Sequence, residues 1–190
     1  MNICVYGASS NEIDKEYIVK GEELGRVLSK AGHKIVYGGG TGGLMGAVSR
    51  GALDEGGYVL GVAPSFFKEM GVLQQKCTEF IFTETMRERK QIMEDRSDAF
   101  IVTPGGIGTF EEFFEILTLK QLSRHTKPIV LFNTNGYYDF VDEIISSSVK
   151  KNFINEKCLG LYKVLDNPED ILKYLENYTD EEIKNQKFKY

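Results

Sequence analysis

Histidine and cysteine are the scarce chemistry here. Among 190 residues there are two histidines, His33 and His125, far apart in sequence, and three cysteines, Cys4, Cys77 and Cys158. An odd cysteine count with no CxxC pair argues against a disulfide framework or a zinc site. So few histidines also make a histidine-held metal or a Ser-His-Asp triad a poor expectation. Positive charge is in deficit too: 23 Lys+Arg face 28 Asp+Glu, a formal net charge of −5. A nucleic-acid surface would be basic, so no nucleic-acid partner is expected. One nucleotide stays possible, because helix N-termini and a few arginines can hold a phosphate in an acidic protein. No apolar run approaches a membrane span, and the opening Met1-Asn2-Ile3-Cys4-Val5-Tyr6-Gly7 has no basic stretch followed by a long apolar one. The reading is a cytoplasmic protein with no membrane partner. Hydrophobic residues make up 42%, which fits one globular domain over residues 1–190.

What the chain does have is glycine in two concentrated turns. The first, Gly38-Gly39-Gly40-Thr41-Gly42-Gly43-Leu44-Met45-Gly46, follows the apolar run 34–37. The second, Pro104-Gly105-Gly106-Ile107-Gly108-Thr109-Phe110-Glu111-Glu112, follows 99–103. Around them apolar runs alternate with segments of helical spacing. Strands are expected at 3–6, 34–37, 58–63, 79–82, 99–103, 128–132 and near 161–164. Helices are expected at 14–31, with Gly32 as its stop, at 43–55, 85–97, from the second turn to about 122, at 138–150, and after Asn167-Pro168. Residues 66–76 read as short helix or loop, Asn135-Gly136 as a turn, and 179–190 as a frayed tail. This alternation predicts an α/β fold: a single-domain, Rossmann-like three-layer sandwich with a mainly parallel sheet and helices on both faces. Both turns, with Gly7-Ala8-Ser9-Ser10, then fall at the carboxyl ends of strands, where such folds bind ligands.

The known phosphate loops do not match. Gly43 is followed by Leu44, so the GxxxxGK[ST] of a P-loop is missing. A GxGxxG can be read at Gly38, Gly40 and Gly43, but it follows the second strand, and the strand after it ends in Pro64 with no acid to hold a ribose. Gly7-Ala8-Ser9-Ser10-Asn11 is not a GxSxG elbow. The first turn therefore reads as an anion site, with tight helix–strand packing as the plainer alternative. For the second, a plainer reading is a capping box, with Thr109 as N-cap and Glu112 at N3. That does not explain the crowd of glycines before it. A carboxylate in a helix's first turn should stay ionised, and beside a phosphate-sized site it can stabilise a cationic transition state or orient water. The charged stretch Thr85-Met86-Arg87-Glu88-Arg89-Lys90 reads either as a solvated helix face or as a contributor to the same edge.

Together the first turn, Met86-Arg87-Glu88-Arg89-Lys90 and the complete PGGxGTxxE of the second turn resemble the LOG ("Lonely Guy") family. Its members are cytokinin riboside 5′-monophosphate phosphoribohydrolases, formerly labelled lysine decarboxylases. The similarity runs on through Lys127-Pro128-Ile129-Val130-Leu131 and Asn135-Gly136-Tyr137-Tyr138-Asp139. The family motif usually reads M-H-E-R-K, and this chain has Arg87 at the histidine position. The resemblance implies hydrolysis of the N-glycosidic bond of AMP or an N6-substituted adenosine 5′-monophosphate. It implies no metal or other cofactor, a nucleoside monophosphate as the small-molecule partner, and a homodimer. The apolar excess of Phe113, Phe114, Ile116, Leu117, Leu119 and Leu122 lends the dimer some independent support. By the same resemblance Glu112 and Arg89 are the catalytic residues. Ser9, Gly39, Gly40, Thr41, Glu69, Arg89, Lys90, Gly105, Gly106, Ile107, Gly108, Thr109, Phe110, Glu111 and Thr118 are the expected substrate and phosphate contacts. A non-catalytic nucleotide carrier on the same fold is the alternative. A decarboxylase would need a pyridoxal-phosphate lysine, which nothing in the sequence suggests.

Overall fold

The sheet is wound outward in both directions from its first strand. The structure, a computed structural model, describes residues 1–180, so the tail expected to be frayed lies outside the described residues from 181 on. β1 (Asn2–Tyr6), β2 (Lys34–Tyr37), β3 (Val59–Pro64) and β4 (Glu79–Thr83) step to one edge. β5 (Ala99–Val102), β6 (Ile129–Phe132) and β7 (Lys163–Leu165) then step to the other. The resulting order is β4-β3-β2-β1-β5-β6-β7, with every pairing parallel. The reversal between β1 and β5 opens a crevice at their carboxyl ends.

Alternation along each strand sorts the core into two layers. Ile3 and Val5 of β1 face α1 (Lys15–Lys30), α2 (Gly43–Asp54) and α6 (Pro168–Glu176) through Leu24, Leu28, Val48, Ala52, Ile171 and Leu175. Cys4 and Tyr6 face the other way, toward α3 (Met86–Asp95), α4 (Ile107–Gln121) and α5 (Asp139–Lys150), through Met93, Phe113, Ile116, Val141 and Ile145. A sheet covered on both faces needs apolar runs rather than strict alternation, and β5, Ala-Phe-Ile-Val, is buried at all four positions.

Most element ends agree with the sequence reading. Gly32, at φ +78°, follows α1, and Asn135, at φ 57°, sits in the expected turn. Asn167 caps α6, its Oδ1 accepting from the amides of Glu169 (2.9 Å) and Asp170 (3.1 Å). Two places differ. The segment left open at 66–76 becomes a 3-10 turn, Ser65–Lys68, followed by an irregular strap. Its hold is tertiary: Thr41 N donates to Val72 O (2.9 Å) and Gln74 N to Gly39 O (2.8 Å). The capping box does not form. α4 begins at Ile107 with Gly106 as N-cap, so Thr109 lies inside the helix and Glu112 in its second turn. The glycine turn lets the chain enter helix two residues before Thr109, which frees both side chains to face inward.

Candidate active site

Three loops meet above the crevice. Ala8 N donates to Pro104 O (3.0 Å) and Met45 N to Ala8 O (3.2 Å), which stitches the turn after β1 to both glycine turns. The second turn is clamped from behind. Tyr137 Oη donates to Gly105 O (2.6 Å), and the buried Tyr138 Oη to Thr103 O (2.7 Å). Between the loops lies a cavity of about 520 Å³, within the usual range for a small-molecule site.

The two glycine turns are not equivalent. At the start of α2 the loop after β1 takes two of the first three amides: Gly43 N donates to Asn11 Oδ1 (2.9 Å) and Met45 N to Ala8 O (3.2 Å), and helical bonding begins with Gly46 N to Gly42 O (3.1 Å). Gly43 sits at φ +61°, and a Cβ there would lie 2.3 Å from Ala8 O, so this tight approach requires glycine. At the start of α4, the amides of Ile107, Gly108 and Thr109 meet no acceptor among the described residues; helical bonding begins with Phe110 N to Gly106 O (3.1 Å). These are the unspent donors of a helix N-terminus facing a cavity.

The charge in the cavity is one ion pair. Arg89 reaches from α3 across to α4, where Nη1 donates to Glu112 Oε1 at 2.9 Å. Its Nε donates to Val62 O of β3 (3.1 Å). Thr85 caps α3 by accepting from Glu88 N (3.1 Å), which fixes the turn that carries Arg89. Both partners are about nine-tenths buried yet line the cavity. Among the described lining residues they are its single cation and single carboxylate. Burial pushes the Glu112 carboxyl above its ordinary range, against the pull of the Arg89 charge and hydrogen bond. The first-turn dipole anticipated for this carboxylate does not apply, because the helix starts earlier.

Of the expected contacts, Ser9, Gly40, Thr41, Arg89, Gly106, Gly108, Thr109 and Glu112 line the cavity. Gly105 backs the turn, and Ile107 stands exposed at the head of α4. Gly39 and Phe110 support from outside: a Cβ on Gly39 would meet the Phe80 ring, and Phe110 stacks on Tyr137. Lys90 turns away to Glu111, by a short contact, and to Glu115 at 2.7 Å. Glu69 and Thr118 are exposed and are not among the residues lining this cavity. Unanticipated lining comes from Asn11 and from the apolar Met45, Phe67, Met70, Val72, Leu73 and Met86. The glycine motifs flanking Met45 signalled that turn, whereas nothing local marks the strap residues.

The family description "Possible lysine decarboxylase" matches residues 45–175. Cytokinin riboside 5′-monophosphate phosphoribohydrolase LOG2 of Arabidopsis thaliana is 36% identical over 176 residues, covering 93% of this chain and 83% of that protein. The protein called cytokinin riboside 5′-monophosphate phosphoribohydrolase in Mycobacterium tuberculosis is 37% identical over 171 residues, covering 90% and 91%. The chain belongs to the LOG family. In fold it also matches the molybdenum cofactor binding protein of Rippkaea orientalis, with a TM-score of 0.70 at 22% identity over 92% of this chain and 94% of that one. That likeness speaks for the fold alone. The older decarboxylase description implies pyridoxal phosphate, which is held as an aldimine on a lysine. No lysine is among the described residues lining the cavity of this LOG-family chain, so the residues present do not fit that group. No helix of the described residues is long and apolar enough to cross a membrane.

Proposed function

We propose that this chain is a nucleoside 5′-monophosphate phosphoribohydrolase acting on AMP or N6-substituted adenosine 5′-monophosphates. The observation that carries the reading is the buried Arg89–Glu112 pair lining the same cavity as Gly108 and Thr109, whose amides at the head of α4 are free. The phosphate seats on the amides of Ile107, Gly108 and Thr109, with the Thr109 hydroxyl beside them. Glu112 faces the sugar. Cleavage of the C1′–N9 bond passes through an oxocarbenium-like ribosyl cation. An ionised carboxylate stabilises that charge, and one raised in pKa is a better base toward the attacking water. As the C1′–N9 bond breaks, the water oxygen bonds to C1′ and one of its protons passes to the carboxylate; the departing base takes up a proton from solvent, and the carboxylate returns its own to solvent. Arg89 does not supply that proton, because a guanidinium stays charged. It holds Glu112 and offers Nη2, which meets no acceptor among the described residues, to the sugar-phosphate. The apolar wall of Met45, Met86, Met70 and Phe67 suits a purine face.

A non-catalytic carrier is the rival reading, since fold does not decide function. A carrier has no use for a carboxylate buried beside an arginine, at a cost in desolvation. The deciding measurement is chromatography of products from AMP, adenosine and N6-substituted monophosphates. Adenine and ribose 5-phosphate from AMP, with adenosine slower by orders of magnitude, support the reading, because lost phosphate contacts forfeit energy that positions the sugar. Tight AMP binding with no base released sinks it in favour of the carrier.

We also propose a homodimer through the outer face of α4. Phe114, Thr118 and Leu122 follow one another four residues apart and are exposed, while Phe113, Ile116 and Leu117 fill the core. A partner on that row would give Thr118 an environment that a single chain does not.

A further inference from the structure

We propose that Gly38 is the positioning residue for the Arg89 guanidinium: the missing side chain at the end of β2 is the seat into which Nη2 fits. A Cβ built at Gly38 would lie 2.2 Å from Arg89 Nη2 and 3.3 Å from Cζ. The next nearest atom is Met45 Sδ, at 3.4 Å. Arg89 is therefore held on three sides, by Val62 O at Nε, by Glu112 at Nη1 and by the bare backbone of Gly38 under Nη2. Gly38 does not need glycine for its backbone. The positive-φ glycines are Gly32, Gly39, Gly43, Gly56, Gly71 and Gly136, and Gly38 is not among them. An alanine is conformationally acceptable there, and what it displaces is the guanidinium. The neighbouring glycines of the same run do other work: a Cβ on Gly39 meets Phe80, and one on Gly40 meets the Met45 methyl. The run of three glycines thus separates into three constraints, of which the first concerns the ion pair.

The inference rests on the reading of Arg89 and Glu112 as the reacting pair only for its effect on turnover; the steric seat stands apart from it. Gly38→Ala is expected to lower kcat about 100-fold, the scale of a misplacement near 1 Å, with a smaller change in KM. The acidic limb of the kcat/KM profile should move to higher pH. Glu112 is faced by Arg89 and Lys90 from α3, Glu111 from α4, Cys4 and Tyr6 from β1, and Tyr138. Removing the guanidinium from that set leaves burial less opposed. A double-mutant cycle checks the pairing. In the Arg89→Ala background, Gly38→Ala should change kcat no further, whereas multiplicative losses would overturn the inference. Melting temperature gives a readout without substrate. Gly38→Ala should lower it with Arg89 present and leave it unchanged in Arg89→Lys, whose ammonium lacks the Nη fork. Equal drops in both backgrounds would also overturn the seat. Failure of the wild type to release base from AMP would instead count against the proposed function and leave this melting cycle to decide Gly38 by itself.

Discussion

Replacing Glu112 by glutamine separates catalysis from stability, because the pair it belongs to is both buried and balanced. The carboxylate accepts from Arg89 Nη1 at 2.9 Å, and only 9% and 11% of the two side chains is exposed. At an effective dielectric near 20, charges about 4 Å apart attract by ~4 kcal/mol. Against this stands the several kcal/mol that each buried ion loses in desolvation. The raised pKa of Glu112 says that burial outweighs its partner. Glutamine removes the attraction and the carboxylate's desolvation together, and its Oε1 still accepts from Nη1. The net cost should be about 1 kcal/mol, or roughly 2–4 °C in melting temperature for a chain of this size. Alanine leaves the guanidinium buried without a partner, at about 3–5 kcal/mol and on the order of 10 °C. Turnover should fall in both variants by about 10²–10⁴, the usual worth of a positioned base. Scanning fluorimetry and chromatography of adenine from AMP read the two quantities. Wild-type turnover in Glu112→Gln would remove the carboxylate from the chemistry, and equal melting temperatures for the two variants would show that the ion pair is not held as described.

Arg89→Ala should lower kcat/KM at least 100-fold more than Arg87→Ala, since Arg87 is exposed and Arg89 is in the pair; equal small losses in steady-state kinetics would return α3 to a solvated face. The protein should lose stability as pH falls from 6.5 toward 4. Burial pulls His125 down to about 4 while Ile116 O opposes and Lys120 and Lys127 assist, so its contribution is present above its unfolded value and lost on acidification. Across pH 7.5 to pH 5 the full shift would be worth ~2 kcal/mol, and after discounting for partial exposure about 1 kcal/mol in urea unfolding, and an unchanged difference in His125→Gln would absolve the histidine. Light scattering at micromolar concentration should give a dimer mass for the wild type and a monomer mass for Phe114→Glu, and a monomeric wild type with full activity would refute the interface.

The fold was legible because each strand is a short apolar run bounded by a turn, and because parallel strands buried on both faces must read that way. The glycine turns declared where those strands deliver the chain. The start of α4 was misread for a physical reason. Thr109-Phe110-Glu111-Glu112 satisfies a local capping pattern, yet two more residues of helix before it cost little once Gly105 and Gly106 absorb the sharp turn. Glu112, which would have closed that box, instead meets Arg89, 23 residues distant in the chain. Adjacency alone does not show where Lys90 turns: next to Arg89 in sequence, it lies about 100° around the helix and pairs with Glu111 and Glu115. The strap after Ser65–Lys68 has no periodicity, because its order comes from the backbone of Gly39 and Thr41.

Two turns of nearly the same composition thus end in opposite states, and the difference lies in a third segment. The loop after β1 supplies Ala8 O and Asn11 Oδ1, which take up the Met45 and Gly43 amides at the opening of α2. The same loop hydrogen-bonds to the second turn through Ala8 N to Pro104 O, and the α4 amides of Ile107, Gly108 and Thr109 meet no acceptor among the described residues. An anion seated there lies at the head of the helix that carries Glu112 in its second turn. The distance from phosphate to carboxylate is then set by one rigid element rather than by two loops moving separately. Arg89 arrives from α3 and is indexed by β3 at Nε and by β2 at Gly38. The ion pair is therefore registered against the sheet, while a phosphate on the α4 amides would be registered against α4. A perturbation of either loop that spared α4 would weaken binding before it disturbed the geometry of the reacting pair.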